Sequence, residues 1–232
     1  MTGAAPILRV DRLCAAYGLA QVLFEVSFTL ARGETIALTG RNGAGKTTTL
    51  KTIMGLLRAS GGSVSFLDED VTRLKPFEIA RRGLGYAPED RRIFTDLTVD
   101  ENLEVGRRAA RGGGAGFTPD VLFEIFPNLA EMRHRRASAM SGGEQQMLAI
   151  ARTLMGNPVA LLLDEPSEGL APVIVDQMAE ALLRLKAQGL SMVLSEQNAE
   201  FAAAIADRAV LLEKGAVRFV GPLGDLASAD WF

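Results

Sequence analysis

Cysteine and histidine are nearly absent: the chain has one of each, Cys14 and His134. A single thiol excludes an internal disulfide and a cysteine-based zinc site. A single imidazole means that any His-rich metal centre or serine-type triad would have to run through His134. Long hydrophobic runs are also missing. The longest, such as Phe201–Ala206 and Val159–Leu163, fall far short of the ~18 residues a spanning helix requires. The first eleven residues hold Pro6 and Arg9 and no continuous apolar stretch, so a secretory leader is not expected. Nor is there an excess of positive charge: 25 Lys+Arg stand against 28 Asp+Glu, and no global basic field points to nucleic acid. A reducing, soluble compartment is expected, with any membrane association supplied by a partner.

What is present is an ordinary globular composition, 48% hydrophobic and 23% charged over 232 residues, enough for one large domain or one domain with an insertion. The first forty residues read as β. Ile7 to Leu13 and Val22 to Leu30 alternate loosely, and Arg32-Gly33 turns the chain into the short apolar strand Thr35–Thr39. A glycine-rich stretch follows, and Lys46 to Met54 reads as a helix. From about Phe77 to Leu154 strand signals fade and helix formers dominate, interrupted by Gly112-Gly113-Gly114-Ala115-Gly116 as a flexible link. The expectation is a helical insertion over about 77–154 inside a single α/β domain spanning 1–232. Its basic clusters, Arg107, Arg108 and Arg111, then Arg133, Arg135 and Arg136, read as solvated helix faces. Val159–Leu163 is an unbroken apolar run suited to a strand buried on both faces, and Leu190–Leu194 reads as another buried strand. Helices are expected over Ala171–Lys186, stopped by Gly189, and over Glu200–Ala206. Glu213-Lys214-Gly215-Ala216 marks a hairpin.

The chemistry concentrates in three places. Gly40-Arg41-Asn42-Gly43-Ala44-Gly45-Lys46-Thr47, followed by Thr48, fits the phosphate-loop pattern G-x-x-x-x-G-K-[ST]. Glycines let successive backbone N–H groups turn toward one anion, and the helix N-terminus adds partial positive charge. Lys46 would reach the β- and γ-phosphates and the Thr47 hydroxyl would help to hold Mg²⁺. Strand, glycine loop and helix occur in the order such a loop demands. Asp164-Glu165 ends the apolar run Val159–Leu163. A carboxylate at the C-terminal edge of a parallel sheet lies on the ligand side. Asp164 is thus the expected Mg²⁺ carboxylate, and Glu165 the group that orients or deprotonates an attacking water. Between them, Met140-Ser141-Gly142-Gly143-Glu144-Gln145 describes a helix start able to bind an anion, or equally a serine N-cap with a polar Glu144 in its first turn.

In this order, the phosphate loop, the Ser-Gly-Gly-Glu-Gln run and the Leu-Leu-Leu-Asp-Glu-Pro strand end resemble the nucleotide-binding subunits of ABC transporters over nearly the whole chain. The resemblance implies a P-loop NTPase fold of the ABC ATPase type, with an N-terminal antiparallel β subdomain and a helical insertion. It implies ATP and Mg²⁺ as ligands. It also implies a head-to-tail dimer that holds each ATP between one subunit's phosphate loop and the other's Ser141–Gln145 equivalent. Tyr17 matches the aromatic that stacks on adenine, and Ser167–Pro172 the loop that signals across the dimer. The implied partners are a second ATPase subunit, two transmembrane permease subunits and, indirectly, a periplasmic solute-binding protein. The implied location is peripheral, on the cytoplasmic face of the inner membrane.

Two positions depart from the general family. Glu89 stands where most members have a glutamine linking Mg²⁺ to the membrane subunits, and Gln197 where most have a switch histidine. His134 precedes Ser141 and cannot substitute; a surface helix is its expected place. Pro88-Glu89, Arg91-Arg92-Ile93-Phe94, Met140 and Glu196-Gln197-Asn198-Ala199 together resemble the LivF-type ATPase subunits of branched-chain amino acid importers. Related urea and amide importers use similar subunits. Two rivals remain: a soluble, non-transport ABC ATPase, against which stand the short Lys46–Ser141 interval and the lack of sustained heptads, and a nucleotide-sensing module without useful turnover, suggested by Gln197.

Overall fold

Alternating burial along short apolar strands organises the chain into layers. The computed structural model describes residues 5–111 and 116–226; positions 112–115 of the glycine-rich link lie outside the described residues. β1 (Leu8–Tyr17), β2 (Ala20–Leu30), β4 (Ala59–Phe66) and β5 (Glu69–Asp70) form an antiparallel sheet ordered β2-β1-β4-β5. The second sheet is ordered β10-β9-β3-β8-β7-β6. In it β3 (Thr35–Thr39), β6 (Leu84–Ala87), β7 (Ala160–Asp164), β8 (Ser191–Glu196) and β9 (Arg208–Glu213) run parallel, and β10 (Ala216–Pro222) closes one edge antiparallel to β9.

The parallel sheet is buried on both faces, as its unbroken apolar runs require. Successive side chains on a strand point to opposite faces. Ile36, Leu38, Leu162 and Val193 therefore meet the antiparallel sheet together with Leu50 and Ile53 of α1 (Lys46–Ile53). Ala37, Leu161, Leu163, Met192 and Leu194 point to the other side. There they pack on α6 (Gly142–Leu154), α7 (Pro172–Ala187) and α8 (Ala199–Ile205), and on the helices α3 (Val99–Gly106), α4 (Pro119–Ile125) and α5 (Pro127–Glu131). Leu162 and Leu163 are fully buried; truncating either to alanine is expected to cost about 2–5 kcal/mol. Pro172 opens α7 at its first turn, and Gly189, at φ 85°, follows its C-terminus in the left-handed conformation glycine tolerates.

Three local expectations need correction. Strand signals fade over 77–154, yet the span contains β6, whose Leu84–Ala87 pair in register with Ala160–Leu163. Four residues with a glycine inside are too few to show periodicity, and α2 (Pro76–Arg82) stops only one residue before. His134 lies in a turn, not a helix, with its side chain exposed and its Nδ1 3.4 Å from Asp100. Arg111, though exposed, is more than a solvated charge: its guanidinium donates to the carbonyls of Asn157, Arg81 and Ala80.

Candidate functional site

The C-terminal ends of β3, β8 and β7 lie side by side, with Thr39 opposite Glu196 and Asp164 opposite Ser195. From the end of β3 the chain turns through the glycine loop into α1. Gly40, at φ 139°, carries its backbone against the Leu212 carbonyl, where any Cβ would collide; Gly45, at φ 108°, would put a Cβ 2.8 Å from Leu23. The loop is braced by Ala44 N–H on the Arg41 carbonyl at 3.0 Å and by Gly215 N–H on the Ala44 carbonyl at 2.9 Å. Arg41 and Asn42 are exposed on it, Gly43 sits at φ 78°, and Thr48 is buried within α1. At the loop's centre Lys46 is only 4% exposed. Its Nζ donates to the carbonyls of Gly40 at 2.9 Å and Arg41 at 3.4 Å, and pairs with Glu165 Oε1 at 3.2 Å.

Asp164, at the end of β7, is 1% exposed. Its Oδ1 accepts from Thr47 Oγ1 and Ser195 Oγ, both at 2.8 Å, and its Oδ2 from the Tyr86 hydroxyl at 2.9 Å. Burial, and then the neighbouring Asp164 charge, push the Tyr86 phenol well above its usual range, so it remains a donor. Among the described residues no cation pairs with Asp164. A buried carboxylate held by three hydroxyls and no positive charge, beside the Thr47 oxygen, offers the hard oxygen donors Mg²⁺ prefers. No cluster of three or more His, Cys, Asp or Glu that could hold a metal ion occurs among the described residues.

Glu165 holds a left-handed backbone, φ 46°, a conformation that costs energy and persists only where its surroundings enforce it. Here its N–H is bound to the Ser195 carbonyl at 3.1 Å and to Ser195 Oγ at 3.0 Å. Both carboxylate oxygens are engaged, Oε1 by Lys46 and Oε2 by Gln197 Nε2 at 3.0 Å. Burial pushes this carboxyl up, but the Glu168 hydrogen bond, the Lys46 charge and the Gln197 amide outweigh it and hold the group below its ordinary range. Glu168 moves the opposite way, to about 7, chiefly through its hydrogen bond to Glu165 and then through burial and the charges of Glu165 and Glu89.

The remaining expected residues stand apart from this cluster. Ser141 caps α6 in a reciprocal box: its N–H donates to Glu144 Oε2 at 2.7 Å and its Oγ accepts from Glu144 N–H at 3.4 Å. A Cβ on Gly142 would meet the Arg91 guanidinium at 2.8 Å, and one on Gly143 would press on Ile174 of α7. These glycines therefore serve packing as well as any anion. No hydrogen bond or ion pair among the described residues joins this turn to Lys46, Thr47, Asp164 or Glu165. Tyr17, 50% exposed, ends β1 on the hairpin whose Leu23 touches the phosphate loop. Glu89 is exposed and acts on the cluster only through its charge at Glu168; nothing brings it to Asp164. Sequence reasoning missed Tyr86 and Ser195, which reach Asp164 across 78 and 31 positions, and the carboxyl of Glu168, which is tied to Glu165 only three residues away.

Residues 23–168 match the ABC transporter family. The chain is 44% identical, over 91% of each protein, to the high-affinity branched-chain amino acid transport ATP-binding protein BraG of Pseudomonas aeruginosa. It is 34% identical to a probable branched-chain amino acid transport ATP-binding protein, LivF, of Archaeoglobus fulgidus, over 97% of this chain and 96% of the relative. The lipopolysaccharide export system ATP-binding protein LptB of Haemophilus influenzae is also 34% identical, over 93% and 90%. Among solved structures, a nucleotide-free ATP-binding cassette from an ABC transporter superposes with a TM-score of 0.83 at 25% identity, over 97% of this chain and 96% of that one.

Proposed function

The chain belongs to the ABC transporter family of ATP-binding subunits and is an ATPase, and from that premise we propose that it drives import of branched-chain amino acids through membrane partner subunits. The substrate class rests on the likeness to BraG, whose identity of 44% exceeds the 34% to the export-system relative. The mechanism rests on one observation: Lys46, Thr47, Asp164, Glu165 and Gln197 converge at the end of the parallel sheet. The described residues form one ATPase domain whose helices between β6 and β7 are an insertion.

In this reading the glycine loop and Lys46 cradle the ATP phosphates, and Tyr17 stacks on the adenine. Thr47 and Asp164 would hold Mg²⁺, which would neutralise phosphate charge when bound; Glu89, exposed on the loop after β6, would have to move to reach it. A γ-phosphate competes with Glu165 for Lys46. Its arrival frees Oε1, which takes a proton from the attacking water as the hydroxyl adds to γ-phosphorus and the bond to ADP breaks. Gln197 holds the other oxygen and so orients the base. The Ser141–Glu144 turn completes a site on a partner ATPase subunit, which explains its isolation from Lys46 in the same chain. No helix among the described residues is long and apolar enough to cross a membrane. In the proposed reading the subunit acts peripherally at the cytoplasmic face, moved against two permease subunits fed by a solute-binding protein. Purification of the native complex, followed by identification of its permeases and uptake assays with leucine, urea and short amides, tests the proposal. Leucine uptake that requires Lys46 supports it; co-purification with export components and no uptake overturns it.

A further inference from the structure

One buried acid at the sheet edge is used by none of the steps above. Glu196 ends β8 with 2% exposure, and among the described residues no cation pairs with it. Its Oε1 accepts from the Ser167 N–H at 3.0 Å, and its Oε2 from the N–H groups of Gln197 at 3.0 Å and Asn198 at 3.1 Å. The Ser167 hydroxyl adds a further donor. Burial pushes the carboxyl up, and these hydrogen bonds oppose it.

The positions of those donors matter. Ser167 lies two residues beyond Glu165, and Gln197 is the residue whose amide holds Glu165 Oε2. Glu196 therefore fixes the backbone on both sides of the Glu165–Gln197 hydrogen bond, closing a ring of contacts through Ser167, Glu196, Gln197 and Glu165. All of its partners are donors, so only an acceptor without hydrogens satisfies them. A carboxylate meets that demand, whereas a glutamine would aim an NH₂ group at a backbone N–H.

We propose that Glu196 is a positioning residue for ATP hydrolysis, acting through Gln197 to hold Glu165 in register and tying the 167–172 loop to the same unit. The proposal rests on Glu165 being the hydrolytic base. A shift of about 1 Å at a reacting group costs on the order of 100-fold in rate, so loosening this ring reads out in turnover rather than in nucleotide affinity.

The test is a double-mutant cycle on the native complex carrying this chain, with Mg-ATP, measuring kcat, KM and melting temperature for the unmodified complex, Glu196→Gln, Gln197→Ala and the double variant. Expected is a fall in kcat of about 10- to 100-fold in Glu196→Gln, with KM changed less than about 2-fold and the double variant no slower than the slower single. Unchanged kcat in folded Glu196→Gln, or losses that multiply in the double variant, overturns the proposal. If Glu196→Gln does not fold, residue-resolved amide exchange of the unmodified chain decides: Ser167, Gln197 and Asn198 exchange slowly and at a common rate, and fast exchange at Ser167 alone overturns it. Absence of hydrolysis in the unmodified complex removes the reading beneath it, a result distinct from failure of the cycle.

Discussion

Lys46, Asp164 and Glu165 are sunk at the sheet edge at 4%, 1% and 8% exposure, whereas Ser141 stands on the surface with its first-turn Glu144 turned back onto its own N–H. The first region satisfies each buried charge from within: Lys46 pairs with Glu165, and Asp164 accepts from three hydroxyls. The second is an ordinary helix cap that loses nothing by standing alone. Burying a charge without compensation costs several kcal/mol, so the first region must be built within one chain, while the second is free to serve a neighbour. In the proposed reading a site divided in this way has its chemistry on one molecule and its closure on another.

The sharpest way to break that contrast is Glu165→Gln. The amide keeps the shape but takes no proton, so hydrolysis should fall by about 100- to 10,000-fold while ATP still binds, and an ATP-bound dimer should accumulate in size-exclusion chromatography. Wild-type turnover would place the base elsewhere. Lys46→Ala comes next. It removes a cation from a phosphate cradle and leaves Glu165 without its buried partner, so nucleotide affinity in equilibrium titration should drop by about 10- to 100-fold, the range for a lost charge-assisted hydrogen bond. Equal affinity would sink the phosphate-loop assignment. A smaller effect separates Gln197 from the usual histidine. A glutamine holds the site with a neutral hydrogen bond, roughly half as strong as a charge-assisted one, so Gln197→His should raise phosphate release a few-fold.

The exposed region should respond differently. Ser141→Ala removes a cap worth about 1 kcal/mol, and should lower the melting temperature by about 2–4 °C without altering ATP affinity of the isolated chain. A large affinity loss there would mean that the turn serves its own chain's nucleotide. The smallest effect is a pH dependence at Glu168. Its carboxyl is raised from 4.5 to about 7 in the folded chain, so the stability it adds is complete below 4.5 and is lost as pH rises through about 7. Glu168→Gln keeps a donor for Glu165 at every pH. The melting temperature of the unmodified chain should therefore fall relative to this variant between about pH 5 and about pH 8.

Much of this was legible beforehand because it is local. The strand Thr35–Thr39, six loop residues and the helix from Lys46 are contiguous, and the apolar run before Asp164 announces both the strand and its acidic end. What stayed hidden depends on pairing across the chain. Tyr86 reaches Asp164 from 78 positions away and Ser195 from 31, and no spacing rule connects a tyrosine in a four-residue strand to the carboxylate at the end of β7. β6 was missed because Leu84-Gly85-Tyr86-Ala87 is too short and too mixed to alternate visibly. Arg111 looked like a surface charge because the three carbonyls that receive it belong to segments brought near only by folding.

Strand order carries a further consequence for how the molecule comes into being. β8 lies between β3 and β7, so the strand at the centre of the site is made after both of its neighbours. Gly33, at the threshold of β3, is bound to Ser191 across 158 positions. During synthesis the phosphate loop and the acids of β7 emerge with an open slot between them, and two apolar strand edges wait for the strand that separates them. Contacts of such long sequence separation form slowly, and unpaired edges of this kind invite aggregation while they wait. ATPase competence therefore arrives late and all at once, when β8 enters the slot and brings Ser195, Glu196 and Gln197 to their partners together. A nascent chain halted before that point would display every glycine of its phosphate loop and hydrolyse nothing.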